Sequence, residues 1–182
     1  VVSTDDGPRA GTVYEKISAL NPVFRPDGTV TAGNACPLND GAAAVVIMSD
    51  TKAKALGLTP LARIVSTGVS GLSPEIMGLG PIEAVKKALG YAKMSISDID
   101  LFEINEAFAV QVLGSARELG IDEDKLNVSG GAIALGHPFG MTGARITATL
   151  LNNLATHDKT FGVETMCVGG GQGMAMVVER LS

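Results

Sequence analysis

Asp100-Leu101-Phe102-Glu103-Ile104-Asn105-Glu106-Ala107-Phe108-Ala109 carries the change of hydrophobic period from which the architecture can be read. Asp100–Ile104 has the length and apolar content of a short strand. Glu106–Leu119 then takes helical spacing, and Gly120 is placed to stop it. A strand running straight into a helix is the unit of an α/β protein. Asn105 falls between the two, at the position of a helix N-cap.

Downstream, Leu126–Ser129 reads as a short strand before Gly130-Gly131, and Thr142–Ala155 as a long amphipathic helix. Phe161–Val168 and Met174–Val178 are strands around the Gly169–Gly173 turn, which favours a hairpin. Upstream, Pro81 suits a first helical turn, and Ile82, Val85, Ala88 and Leu89 form one apolar face. Leu61–Val69 is a further strand. Ala42–Met48 is a continuous apolar run and predicts a buried strand. Ser49-Asp50 then caps a helix over Thr51–Leu56, closed by Gly57. Residues 1–40 hold Pro8, Pro22, Pro26 and Pro37 and little periodicity, with one short helix near Tyr14–Leu20. The expectation is an α/β fold, a mostly parallel mixed sheet with helices packed on it. Residues 1–40 form an irregular entry and 41–182 the main domain.

Of 182 residues, 46% are hydrophobic and 18% charged, enough for a sizeable core. The net charge of −5, the absence of Trp and the lack of any Lys/Arg cluster argue against nucleic acid. No apolar run is long enough for a membrane span, and a mild negative charge disfavours a membrane surface. Cys36 and Cys167 make no disulfide framework, and with His137 and His157 they lack zinc spacing, so no metal is expected. Free thiols fit a reducing compartment. The opening at Val1, without Met, reads like the middle of a loop and predicts a longer protein.

Three segments have the residue types for chemistry. Asn105 either caps a helix or holds a substrate or water with its amide. Gly130-Gly131-Ala132-Ile133-Ala134-Leu135-Gly136-His137-Pro138-Phe139-Gly140-Met141-Thr142-Gly143 spends more glycine than a turn needs, which predicts close backbone approach to a ligand or neighbour. It has neither a P-loop's Lys-Ser/Thr nor a dinucleotide fingerprint. His137 within it is structural or catalytic. His157, near a helix end, reads as structural. Met166-Cys167-Val168-Gly169-Gly170-Gly171-Gln172-Gly173 places a thiol beside bare backbone. Cys167 is either an inert small hydrophobe or a proton carrier next to oxyanion-binding N–H groups.

Taken in order, Asn-Glu-Ala-Phe-Ala, Gly-Gly-Ala-Ile-Ala-Leu-Gly-His-Pro and Cys-Val-Gly-Gly-Gly-Gln-Gly resemble the C-terminal half of the thiolases. Asp27–Ala35, Asn39–Ala44 and Met77–Pro81 extend the resemblance over nearly the whole chain. It implies an acyl-CoA C-acyltransferase that cleaves 3-ketoacyl-CoA with CoA or runs the reverse Claisen condensation. CoA and acyl-CoA are then substrates, with no permanently bound cofactor. By resemblance, His137 activates a nucleophilic cysteine and helps form a first oxyanion hole, and Asn105 holds the water that completes it. Cys167 moves a proton at the α-carbon, and the Gly169 N–H serves a second oxyanion hole. Ala32, Cys36, Met77, Ala107 and Phe108 match the pantetheine channel. Cys36-Pro37 departs from the family's frequent Ser-Gly.

The family's nucleophile lies in a glycine-rich motif of its N-terminal half, and nothing here resembles that motif. The resemblance therefore implies a chain inactive alone, with that half as partner, within a homodimer or homotetramer. The cytoplasm of a bacterium is the expected location, an organelle matrix the alternative. The competing readings are a ketoacyl synthase relative and a silent acyl-CoA- or lipid-binding module on the same fold.

Overall fold

The computed structural model describes residues 1–182. Its regular elements are α1 (Tyr14–Ser18), α2 (Asp50–Ala55), β1 (Ala62–Gly71), α3 (Gly80–Ala92), β2 (Leu101–Ile104), α4 (Ala109–Leu119), α5 (Ala132–Leu135), α6 (Phe139–Thr156), β3 (Phe161–Val168) and β4 (Gln172–Arg180). Four strands form one sheet in the order β1-β4-β3-β2.

The sheet is mixed, as expected, but not mostly parallel. Only β2 and β3 run parallel; β3–β4 and β4–β1 are antiparallel. The triple glycine is the reason. Gly170 and Gly171 hold φ of 87° and 88°, a left-handed backbone that turns β3 tightly back into β4. The β2–β3 connection contains helices, as a parallel pair requires.

Side-chain alternation splits the core into two layers. Val163, Ala175 and Val177 face α3, where they join Ala84, Val85, Ala88 and Leu89 and the α4 residues Val112 and Ala116. Val178 and Leu101 point the other way, onto Leu150 and Leu154 of α6. Helices thus cover both faces of the β2–β3 half of the sheet.

Small residues set the depth of the α3 layer. A Cβ on Gly173 would lie 2.8 Å from Gly80 Cα, and one on Gly80 would lie 2.8 Å from Gly173 N. The Ser70 hydroxyl donates to Gly80 O at 2.7 Å, which fixes the same contact. Gly173→Ala is therefore expected to destabilise the protein by about 2–3 kcal/mol through overpacking. Gly90→Ala, in open space on the same helix, is expected to stabilise it by about 0.5–1 kcal/mol. Thermal unfolding of both variants checks the pair, because equal shifts would mean that the close approach is not what Gly173 serves.

Three expectations need correction. Ala42–Met48 is not a strand: it is irregular and exposed, with Val46 at 85% and Ile47 at 71%. No strand of this chain lies beside it, and a strand needs a partner for its N–H and C=O groups. The capped helix after it does form, with Ser49 Oγ accepting from Lys52 N at 3.1 Å. Leu126–Ser129 reduces to a single bridge between Leu126 and Phe102. The helix expected from Glu106 starts at Ala109, because Ala107 and Phe108 are extended and tied to the entry segment.

Candidate active site

β2 ends at Ile104 against Thr165 of β3, so the residues that follow both strands leave the sheet side by side. Asn105 is one of them, and it is wholly buried. Its N–H donates to Thr165 O at 3.0 Å, and its carbonyl accepts from Gln111 Nε2 at 2.9 Å. With α4 starting at Ala109 after an N-cap at Phe108, Asn105 is not a helix cap. Its Oδ1 accepts from Arg145 Nη2 at 3.2 Å, while its buried Nδ2 has no acceptor in the chain.

Glu106, next along, ties this corner to the glycine-rich loop. Its Oε2 accepts from Ile133 N at 3.1 Å and its Oε1 from Asn127 Nδ2 at 3.0 Å. Asn127, at φ 45°, also bonds both polar groups of the Ile104 backbone. The loop then passes through Gly136 at φ 100°, with the Asn39 side chain filling the space a Cβ would take. That is the close approach the glycine excess implied, and the neighbour is this chain's own entry segment.

His137 follows at once. Its Nδ1 lies 2.6 Å from Thr142 Oγ1. The Thr142 hydroxyl donates to Pro138 O at 3.0 Å, so it can only accept from the ring. The imidazole therefore carries its proton on Nδ1, and Nε2 is left with a lone pair. Burial and the nearby Arg145 both lower the His137 pKa, favouring the neutral ring. An open cleft in front of it is lined by Leu38, Asn39, Asp40, Pro138 and Phe139.

Cys167 lies near the end of β3, paired with Gly173 and 6% exposed. Burial pushes its thiol up, and the neighbouring Cys36 adds to the shift, so the resting form is the thiol. Gly169 is exposed in the hairpin turn, and its N–H donates to no carbonyl of the chain. Cys36 N–H donates to Ala107 O at 3.1 Å, and Ala35 bridges Phe108. Phe108 meets Phe24 edge-on at 5.9 Å. Cys36, Ala107 and Phe108 are thus tied together, with Cys36 near enough to Cys167 to add to the rise of its pKa. Met77 lies on a short 3-10 helix packed against α4. Ala32 is set apart on an exposed loop, beside Gly33, which packs on α1.

His137, Asn105 and Cys167 are linked through their neighbours: Arg145 acts on the first two, and the Cys36–Ala107 bond runs between the last two. Reading the sequence did not single out Arg145, Glu103, Glu164, Glu106 or Thr142. Arg145 Nη1 donates to Glu103 Oε1 at 2.9 Å, and Glu164 Oε2 accepts from Thr147 at 2.8 Å. Burial raises both carboxyls to about 7, against the pull of Arg145. A glutamate inside the apolar Leu101–Ile104 strand was the available signal. His157, the C-cap of α6, is remote from this cluster in the chain. No group of three His, Cys, Asp or Glu side chains is arranged to hold a metal ion.

Comparison with known proteins agrees with this architecture. Residues 58–180 match the family model "Thiolase, C-terminal domain", and residues 1–51 match "Thiolase, N-terminal domain". The chain is 56% identical over 182 residues to the acetyl-CoA acetyltransferase of Escherichia coli K12, covering 100% of itself and 46% of that protein. It is 53% identical over 179 residues to the 3-ketoacyl-CoA thiolase of Bacillus subtilis, covering 98% of itself and 46% of that protein. The crystal structure of the Bacillus anthracis acetyl-CoA acetyltransferase superposes with a TM-score of 0.94 at 51% identity, over 97% of this chain and 45% of that one. The human mitochondrial 3-ketoacyl-CoA thiolase in complex with CoA gives 0.91 at 47% identity, over 100% and 46%. The chain spans about half the length of the relatives it matches. With the C-terminal family model covering most of its length, the chain belongs to the thiolase family.

Proposed function

We propose that this chain supplies the proton-transfer and oxyanion-binding half of an acyl-CoA C-acyltransferase site. A thioester α-carbon is a weak acid, so its chemistry needs a close proton carrier and donors for the enolate oxygen. In thiolysis a nucleophilic thiol outside this chain adds to the β-carbonyl carbon of a 3-ketoacyl-CoA. The bond between the α- and β-carbons breaks with its electron pair left on the α-carbon, and the acyl group stays on that thiol until CoA takes it. Cys167, resting as a thiol, donates its proton there and acetyl-CoA leaves. In the condensing direction the thiolate takes the proton back. His137 Nε2, unprotonated by the argument from Thr142, accepts the proton of a nucleophilic thiol. Once protonated, Nε2 is a donor for the thioester oxygen. Asn105 Nδ2 and Gly169 N–H are further donors without chain partners.

The observation that carries this reading is the pair of Asn105 and Cys167 on the adjoining ends of parallel strands, with Arg145 bonded to Asn105 and its charge helping to keep His137 neutral. The exposed Ala42–Met48 run supports a second half, since it is a strand sequence without a strand to pair with. The uncovered sheet residues Ile64, Val69 and Met174 support it as well.

The test is release of acetyl-CoA from acetoacetyl-CoA and CoA by the complete protein. Turnover is expected, and its absence in a folded preparation would remove the reading.

A further inference from the structure

The Asn105 side chain is an amide, with an acceptor at one end and a donor at the other. Which end faces the site decides whether it binds an oxygen lone pair or repels it. Its backbone is pinned on both sides, by Thr165 O and by Gln111 Nε2, and its side chain is wholly buried, which leaves a turn of the amide as the smallest change open to it. Arg145 Nη2 sits 3.2 Å from Oδ1. A guanidinium has five donors and no acceptor. Turning the amide over would set Nδ2–H against Nη2–H, donor against donor. In the observed sense, Oδ1 is occupied and the fully buried Nδ2 is left over without a protein acceptor. The guanidinium is itself held: its other arm donates to Glu103 Oε1 at 2.9 Å, and Glu103 is 1% exposed.

From this geometry we infer that Arg145 is a positioning residue for the acyl-transfer site, locking Asn105 with its donor end toward the substrate. The inference rests on the acyltransferase reading above. Lysine cannot replace arginine here. Glu103 Oε1 and Asn105 Oδ1 are bonded by two different nitrogens of one planar fork, whereas an ammonium offers all its donors from one freely rotating nitrogen and does not fix the amide in the same way.

The experiment is a double-mutant cycle in the complete protein, with acetoacetyl-CoA thiolysis as the readout. Asn105→Ala removes the donor and is expected to lower kcat by about 10²-fold. Arg145→Lys is expected to lower kcat by about 10- to 10²-fold, with KM for acetoacetyl-CoA within about twofold of wild type. The double variant is expected to be no worse than Asn105→Ala alone, within about threefold, because Arg145 acts through an amide that is no longer there. Effects that multiply would overturn the inference, as would an unchanged kcat in Arg145→Lys. A wild type without turnover would instead overturn the acyltransferase reading, and the inference with it.

Arg145→Lys could unfold the protein by leaving Glu103 poorly paired in the interior. The double variant Arg145→Met, Glu103→Gln removes both charges and keeps the volume, a replacement that interiors tolerate. It is expected to fold and to stay at the reduced kcat. Recovery of wild-type kcat in that variant would show that Arg145 serves only to neutralise Glu103.

Discussion

The 182-residue chain on its own is expected to show no thiolysis of acetoacetyl-CoA above the buffer rate. A thiolase reaction needs one thiol to accept the acyl group and a second carrier for the α-proton. This chain has two cysteines. Cys167 is buried and kept protonated, and Cys36 is half-buried, with its own pKa raised by desolvation. Neither is hydrogen-bonded to His137, whose one ring hydrogen bond is to Thr142. No thiol in the chain is therefore activated by its base. The exposed run Val45–Met48 and the bare residues Ile64, Val69 and Met174 also leave apolar surface in water. The chain is expected to associate at micromolar concentration. Supplying in trans the half of a thiolase that this chain does not cover should bring turnover and remove the association together. Turnover by the chain alone, lost on alkylation of Cys36 or Cys167, would show that the nucleophile was here all along.

How far the sequence led depended on whether a feature was local. The switch from strand to helix after Ile104, the glycine stop at Gly120 and the triple-glycine hairpin depend on neighbours a few residues away, and the structure has all three. Ala42–Met48 has the composition of a buried strand, but pairing belongs to whatever lies beside it, and within this chain that is nothing. Strand direction failed for a related reason. Alternating strands and helices implied crossovers, yet β1 pairs with β4 from the opposite end of the chain.

At the site, His137, Asn105 and Cys167 stood out because glycine or a strand end beside a polar residue is unusual. Their supports did not. Arg145 on a helix reads as a solvated face, and only the fold sets it against Glu103 and Asn105. The capping explanation for Asn105 could be removed only once the helix was seen to begin at Ala109.

Cys167→Ala in the complete protein is expected to lower thiolysis by roughly 10³- to 10⁴-fold, the upper range for losing a positioned proton carrier. Exchange of the acetyl-CoA α-protons with solvent should fall by the same factor, since it uses this transfer, with the enolate donors, and no acylated nucleophile. On the proposed reading, acylation of the nucleophile by acetyl-CoA uses His137 and a thiol outside this chain, so it should remain detectable. The two readouts together exclude a folding defect, which would remove both. Cys167 also has little structural weight to lose. It belongs to neither buried apolar cluster, and its strand is held by pairing on both sides, to Gly173 of β4 and, two residues earlier, through Thr165 O to Asn105 N–H. Removing one sulfur there should cost about 1–2 kcal/mol, less than enough to unfold a domain of this size. Exchange at the wild-type rate in Cys167→Ala would mean that another group carries the proton. The only other thiol beside it is Cys36, so Cys36→Ala in the same background would be the next variant to measure.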